Sequence, residues 1–241
     1  MLTKTEAVVL HSFKYGEARL IVEMFTRQEG RLSFIVQLPK TPRSKLKKQF
    51  FQPLTLLEVV ADLRPNAQLQ KLKDARLLAP FTSLPFEPVK LSISLFLAEF
   101  LYHATKGEQQ NAPLFDYIVS SLQWLDNCQQ STANFHLVFL MRLNRFLGFY
   151  PNLEDYRPGS FFDLRTSGFC GSAPMHHDFL APAEAEKLQL MMRMDYATMH
   201  LFALSRHDRQ RLLDVALTYY RLHLPVFPEL RSLPVLQELY D

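Results

Sequence analysis

The spacing of the apolar residues changes once along this chain, near Pro80, and that change restricts the folds the chain can adopt. Before Pro80, apolar and polar residues alternate in short runs, which is typical of half-buried strands. After Pro80, apolar residues recur every three or four positions, as on amphipathic helices. The sequence therefore predicts an α+β protein with a β domain over residues 1–80 and an all-α helical domain over residues 81–241.

The first eighty residues contain five runs of strand character, at 6–13, 18–25, 32–38, 54–61 and 68–73. Between the second and third runs, the segment from Thr26 ends in Gly30, and a glycine with positive φ favours a tight hairpin there. Five short strands with turn-rich connections fit a closed five-stranded barrel of the oligonucleotide-binding (OB) kind. A five-stranded sheet of another topology has the same period and stays open as the alternative.

The charge of the chain is concentrated in this β domain. Residues 1–80 hold 14 Lys and Arg against 7 Asp and Glu, whereas residues 81–241 hold 13 against 17. The segment from Pro39 to Lys48 carries no acidic residue, and its basic residues are Lys40, Arg43, Lys45, Lys47 and Lys48. Neighbouring elements add Arg27, Arg31, Lys71 and Lys73. Such a one-signed surface predicts a polyanionic partner, although a lysine cluster is also a common solvated surface.

Aromatic residues stand beside the basic segment. Lysines that follow a phosphate backbone, with aromatic rings offered to the bases, are the usual means of binding single-stranded nucleic acid. Phe34 shares a strand face with apolar neighbours, so we expect it in the barrel core. Phe50 and Phe51 are adjacent and point to opposite sides, which leaves one of them to face a bound strand.

The second part of the chain predicts a helical bundle with one interruption. Helices are expected near 93–104, 113–124, 135–147, from Ala181 onward and after a capping box at Ser205. The helix Phe135–Leu147 is apolar nearly all round and ends at Gly148, so it should be central to the core. Residues 150–180 are rich in Pro and Gly and predict an irregular insertion. The tail after His223 should pack along the bundle as an extended clasp with a last turn.

The sequence contains no motif of a known catalytic site, so we expect no enzyme activity and no cofactor. His176, His177 and Asp178, joined by Cys170, are the best candidate for a metal-dependent enzyme, but adjacent histidines point in different directions. The two cysteines of the chain are too few for a four-cysteine zinc site, and we expect no metal. We also expect no export signal and no membrane span, hence a cytoplasmic protein.

Several segments together resemble the RecO family of bacterial DNA repair and recombination mediators. The first is AVVLHSFKYGEARLIVEMFTRQEGRLSFIV, which contains Tyr15-Gly16-Glu17. The others are Gln52-Pro53-Leu54 with Leu57-Glu58, the run from Leu147 to Leu153, and the tail with Arg231-Ser232-Leu233. The resemblance spans nearly the whole chain and depends on the order and spacing of these segments.

The resemblance implies an OB barrel followed by a helical domain. It implies a nucleoid-associated protein that binds single- and double-stranded DNA and anneals complementary strands. The implied partners are RecR and single-strand-binding protein (SSB), and the implied role is to promote loading of RecA onto SSB-coated strands. No nucleotide cofactor is implied.

Many family members carry a four-cysteine zinc module after the Gly-Phe-x-Pro-x-Leu segment. In this chain, Tyr156 and Gly159 stand at the positions of the first cysteine pair, and only Cys170 remains. We therefore expect a loop without zinc, stabilised by the packing of Phe161, Phe162 and Phe169.

A second hypothesis makes the protein an interaction adaptor whose helical domain is the working part, with DNA contact secondary. Arg142 and Arg145 interrupt the apolar surface of the helix Phe135–Leu147 and could receive an acidic, hydrophobic peptide such as the tail of SSB. The other interpretation is that both are basic residues at the rim of a core helix.

Overall fold

The computed structural model describes residues 2–37, 46–65 and 67–238. The chain divides into two compact units. The first comprises Met1–Asn127 and Leu230–Leu236, and the second comprises Cys128–Glu229 and the described residues after Leu236. The first unit thus holds the β part and the helical residues up to Asn127. The predicted domains 1–80 and 81–241 were defined by the change in apolar spacing, whereas the two units are defined by compactness. The two divisions therefore do not test each other, and the domain boundary at residue 80 stays a prediction.

Five strands close into a barrel in the first unit. They are β1 (Leu2–Lys14), β2 (Arg19–Thr26), β3 (Gly30–Gln37), β4 (Leu56–Asp62) and β5 (Gln70–Ala79). Their order around the barrel is β1-β2-β3-β5-β4, with β3 and β5 parallel and the other neighbours antiparallel. The predicted OB-like closed barrel is confirmed, and the alternative of a five-stranded sheet of another topology is wrong.

The alternation seen in the sequence fills the barrel. Leu20, Val22 and Met24 of β2 point inward and are buried together with Phe34 of β3, which confirms Phe34 as a core residue. Phe51 joins this core from a short 3-10 helix, Lys48–Phe51. Burial of these side chains is the main stabilising contribution to the barrel.

The hairpin between β2 and β3 lies against the loop that connects the first two helices, α1 (Pro88–Ala104) and α2 (Ala112–Asn127). Gly30 has the positive φ that the sequence predicts, +72°. The N–H of Arg31 donates to the carbonyl of Glu108 at 2.9 Å. A Cβ at Gly30 would lie 2.5 Å from that same carbonyl oxygen. A glycine is therefore required here for its conformation and for its small volume.

Asp126 of α2 fixes the segment that leads from the barrel into α1. Its carboxylate accepts the N–H groups of Thr82, Ser83 and Leu84 at 2.7–3.1 Å. Burial alone would raise the pKa of Asp126, but these hydrogen bonds to the charged form outweigh it and lower the pKa to about 2. The charged carboxylate thus holds the start of the helical part in place.

Asp126→Asn is expected to lower the free energy of unfolding at pH 7 by roughly 2 kcal/mol. Because the folded-state pKa lies below the ordinary value of 3.8, this stabilisation is present above about pH 4. It is lost as the pH falls toward 2. Urea unfolding of the wild type and of Asp126→Asn at pH 7 and pH 3 measures the effect. The difference in the free energy of unfolding between the two proteins should be smaller at pH 3.

Asp116→Asn is the control, because it changes an exposed carboxylate on the same helix and should have a small effect. Equal losses of stability in both variants would contradict the stabilising role of Asp126.

The second unit is built around α3 (Phe135–Leu147), which has the predicted bounds and ends at Gly148 with φ +86°. It is followed by α4 (Pro182–Arg193) and α5 (Arg206–His223). The predicted cap of α5 is confirmed, since Ser205 Oγ accepts the N–H of Asp208 at 3.1 Å. Tyr220 of α5 donates to the carbonyl of Leu140 at 2.8 Å and so joins α5 to α3.

The insertion at 150–180 is more regular than the sequence indicates. It contains β6 (Phe161–Asp163), β7 (Gly168–Cys170) and β8 (Phe179–Leu180), which form a sheet in the order β7-β6-β8. Strands of two or three residues are too short for alternation to be recognised in a sequence. The predicted aromatic packing is present, because Phe162 is fully buried and its ring lies 5.0 Å from that of Phe169.

Residues Leu230–Leu236 of the tail belong to the first unit and contact α1 there. Glu99 of α1 accepts the N–H of Arg231 at 3.0 Å and the N–H of Ser232 at 2.8 Å. The short helix α6 (Leu233–Glu238) follows these contacts. Among the described residues, no helix has both the length and the apolar character needed to cross a membrane.

Candidate nucleic-acid interface

One end of the barrel gathers exposed basic side chains. β1 ends at Lys14, and β2 begins at Arg19, which pairs with Gln37 at the end of β3. Lys71 of β5 lies level with Ile35 of β3, and Lys73 follows on the same face. β3 ends at Gln37 at this end of the barrel, and the described chain resumes at Leu46, next to Lys47. We define the basic end as Lys14, Arg19, Lys47, Lys48, Lys71 and Lys73.

The side chains of the basic end are available to a ligand. All six residues are exposed. In the described part of the chain, none of the six forms an ion pair with a carboxylate within 4 Å. Asp62 of β4 lies opposite Lys71 in the register but pairs with Arg64 at 3.7 Å, and Glu58 binds Lys4 and Arg76. Lys40, Arg43 and Lys45 of the predicted DNA-binding set lie outside the described residues. Within the described residues, no ion pair therefore balances the charge of these six side chains.

Two predicted DNA-binding residues lie at the other end of the barrel, where each has an acidic partner. Arg27, in the β2–β3 turn, pairs with Asp116 of α2 at 3.1 Å and with Glu6 of β1 at 3.7 Å. These contacts join the hairpin to α2 and to β1. That Arg27 contacts DNA stays a prediction, since much of its charge is already balanced.

Arg31 is held more firmly than Arg27. Its side chain is only 10% exposed, and its guanidinium pairs with Glu23 at 3.1 Å. It also donates to the carbonyl of Tyr102 at 3.0 Å, and its carbon centre lies 4.6 Å from the centroid of the Tyr102 ring. Burial lowers the pKa of Arg31, an effect that Glu23 partly offsets. That Arg31 contacts DNA stays a prediction, and its contacts favour a role in packing α1 on the barrel.

An apolar cleft of about 360 Å³ lies beside the 3-10 helix. Phe50, Leu77, Phe81 and Leu91 line it. Phe51 is buried in the core and Phe50 is half-buried against it, so Phe50 is the more accessible member of the predicted pair. Leu54, also in the lining, has a φ of +61°, which is unfavourable for a branched side chain. It is held there because its N–H donates to the carbonyl of Val9 at 2.6 Å.

Sequence reasoning missed the exposed aromatic residues of β1. His11 and Phe13 lie on the outside of the barrel because a bulge between Val9 and His11 shifts the pairing by one residue. Phe13 is 42% exposed, and Tyr15 in the following turn is 50% exposed. The only available signal was an aromatic residue at every second position from 11 to 15. Before the bulge, β1 carries buried residues on both faces, and this continuous apolar run concealed the alternation of the aromatic residues.

The two arginines of the adaptor hypothesis are engaged within the second unit. Arg142 donates to the carbonyl of Met194 at 3.1 Å. Arg145 donates to the hydroxyl of Tyr150 at 2.9 Å and lies over its ring, with 4.4 Å between the guanidinium carbon and the ring centroid. Both placements agree with basic residues at the rim of a core helix, and the peptide-binding role stays a prediction.

The insertion does not offer the ligands that a zinc module needs. Burial raises the pKa of the Cys170 thiol, which disfavours the thiolate that binds metal. His176 lies 3.4 Å from Asp163, whereas Asp178 pairs with Arg165 at 2.6 Å, so these side chains do not converge. Among the described residues, no group of three or more His, Cys, Asp or Glu could hold a metal ion. The residues present therefore do not fit the zinc site of the family.

Two family models together match most of the chain. The model described as Recombination protein O N terminal matches residues 1–81, which contain the barrel. The model described as Recombination protein O C terminal matches residues 85–234, which contain α1 to α5.

Curated relatives match over their full length and over all of this chain. A protein named DNA repair protein RecO from Phocaeicola vulgatus is 51% identical over 241 residues. Proteins of the same name from Bacteroides fragilis and Porphyromonas gingivalis are 52% and 34% identical over 242 and 252 residues. These matches, together with the barrel and the helical part, show that the chain belongs to the RecO family of DNA repair proteins.

Proposed function

We propose that this RecO family member binds single- and double-stranded DNA through the basic end of its barrel and anneals complementary strands. It acts as a recombination mediator by binding alone, with no covalent chemistry. Lys47, Lys48, Lys71 and Lys73 contact phosphates, and the basic segment adds Lys40, Arg43 and Lys45 to them.

One observation carries the proposal: the exposed cations of the basic end have no carboxylate partner within the described residues. A phosphate backbone supplies the missing negative charge, and its binding releases condensed counterions. Arg27 and Arg31 have acidic partners in the protein, so contacts within the protein account for their charges. Such contacts do not account for the exposed lysines of the basic end.

Annealing follows from the same contacts. Two complementary strands repel each other through their phosphates, and a protein surface that neutralises part of this charge lowers the repulsion. In the cell, the strands are coated by SSB. We propose that this protein, together with RecR, acts on such coated strands and promotes the loading of RecA, as the family resemblance implies.

The test is the rate of annealing of two complementary oligonucleotides that carry a fluorophore and a quencher. We expect the full-length protein to accelerate annealing without ATP and to lose this effect as the salt concentration rises, because the contacts are electrostatic. The same assay with strands coated by the cognate SSB, with and without RecR, tests the mediator role. Annealing at the spontaneous rate at low salt would contradict the proposal.

A further inference from the structure

The outer face of β1, β2 and β3 carries an apolar strip that crosses the strands. The register aligns Phe13 of β1 with Ile21 of β2, Ile21 with Ile35 of β3, and Ile35 with Lys71 of β5. Ile21 is almost buried and Ile35 is half-buried, so the strip has an apolar floor with Phe13 standing above it at one edge. We call Phe13, Ile21 and Ile35 the outer strip.

Aromatic rings continue the outer strip along β1 toward α1. The ring of Phe13 lies 5.9 Å from that of His11, and the ring of His11 lies 5.2 Å from that of Tyr102. Tyr102 is itself fixed beneath Arg31. These contacts support the ring of Phe13, which is still 42% exposed. A supported, partly exposed ring loses little side-chain entropy when a flat ligand stacks on it.

Basic residues flank the outer strip. Lys14 follows Phe13, Arg19 lies on the same face of β2 as Ile21, and Lys71 lies level with Ile35. Glu23, the acidic residue on this face of β2, is neutralised by Arg31 at 3.1 Å. Glu17 in the β1–β2 turn and Asp62, which lies opposite Lys71 on β4, are further acidic residues nearby. A ligand that fits this surface must therefore have flat apolar groups for the strip and negative charges beside them for the flanking basic residues.

We propose that the outer strip is a base-stacking subsite for single-stranded DNA, in which Phe13 and Tyr15 stack on unpaired bases while Lys14, Arg19 and Lys71 hold the flanking phosphates. The inference rests on the DNA binding proposed above and adds a preference to it. Bases in a duplex already stack on each other, so duplex DNA can use the lysines but not the rings. The outer strip thus distinguishes single strands from duplexes.

Phe13→Ala is expected to weaken binding of single-stranded DNA about 10-fold and to leave binding of duplex DNA unchanged. The salt dependence of binding should stay that of the wild type, because no charge is removed. Phe13→Trp keeps a stacking ring and should retain the affinity. The matched control is Phe86→Ala, which removes a phenylalanine that is 76% exposed, lies in the same unit and does not belong to the strip. Fluorescence anisotropy with single-stranded and duplex probes measures all four proteins.

A strand containing 2-aminopurine reports stacking directly. Its fluorescence should change on binding to the wild type and to Phe13→Trp, and less on binding to Phe13→Ala at saturating protein. The inference is overturned if Phe13→Ala binds single strands as the wild type does, or loses single-stranded and duplex binding equally. It is also overturned if Phe13→Ala alters only self-association in analytical ultracentrifugation, which would make the strip an interface between copies. A wild-type protein that binds no DNA would instead contradict the proposed function itself.

Discussion

Gly30→Ala is expected to lower the free energy of unfolding by about 3–5 kcal/mol, a large fraction of the stability of a typical domain. Two effects add at this position. The φ of +72° is strained for any residue with a Cβ, and the new methyl would overlap the backbone of Glu108 and Gln109. The atoms that overlap are backbone atoms of the hairpin and of the loop between α1 and α2, and neither can turn aside as a side chain can. The hairpin must therefore separate from this loop. Thermal and urea unfolding measure the loss.

Gly16→Ala is the matched control for this prediction. Gly16 has nearly the same φ, +70°, but among the described residues no atom lies within 4 Å of a Cβ placed there. It should therefore show only the conformational cost, about 1 kcal/mol. The difference between the two variants isolates the contact of the hairpin with the helix connection. Equal losses in both variants would show that the close approach at Gly30 contributes nothing.

The second large effect is expected in DNA binding. Changing Lys47, Lys48, Lys71 and Lys73 together to Gln should weaken binding to single-stranded DNA by about 100-fold or more at low salt, because each phosphate contact contributes through released counterions. All sequences should be affected alike, since contacts to phosphates carry no sequence information. These side chains are exposed and without ion pairs in the described part of the chain, so folding should be preserved.

A control with the same change in net charge separates local contact from overall charge. Its four substitutions to Gln lie at exposed arginines of the second unit: Arg157, Arg193, Arg206 and Arg221. If the barrel end is the contact surface, this control should bind nearly as well as the wild type. Circular dichroism and thermal unfolding of both variants verify that each is folded.

Local periodicity was sufficient to predict most of the fold. Strand alternation, followed by helical spacing after Pro80, predicted five strands and then helices, and α3 begins and ends at the predicted residues. Alternation was compatible with a closed barrel but did not decide between it and a five-stranded sheet of another topology. Gly30 and Gly148 were predicted correctly because a positive φ at a turn or helix end has a strong local signature. The sheet β7-β6-β8 was not predicted, because strands of two or three residues have no measurable period.

The candidate site was harder to predict, because charge pairing is a tertiary property. In the sequence, Arg27 and Arg31 look like members of the same basic group as Lys71 and Lys73. The structure pairs the two arginines with Asp116 and Glu23, residues that are distant in sequence or on the neighbouring strand. The outer strip was missed for a different reason. A bulge in β1 moves Phe13 to the outside, and a one-residue shift in a strand exchanges its faces.

The salt dependence of DNA binding tests the central claim, that the basic end of the barrel carries the phosphate contacts. Affinity for a single strand is measured by anisotropy at several salt concentrations for the wild type, the four-lysine variant and the four-arginine control. We expect the slope of log affinity against log salt to become shallower by about 3 for the four-lysine variant, at about 0.7 per contact, and to stay unchanged for the control. A four-lysine variant with the wild-type slope, or a control flattened to the same extent, would contradict the account.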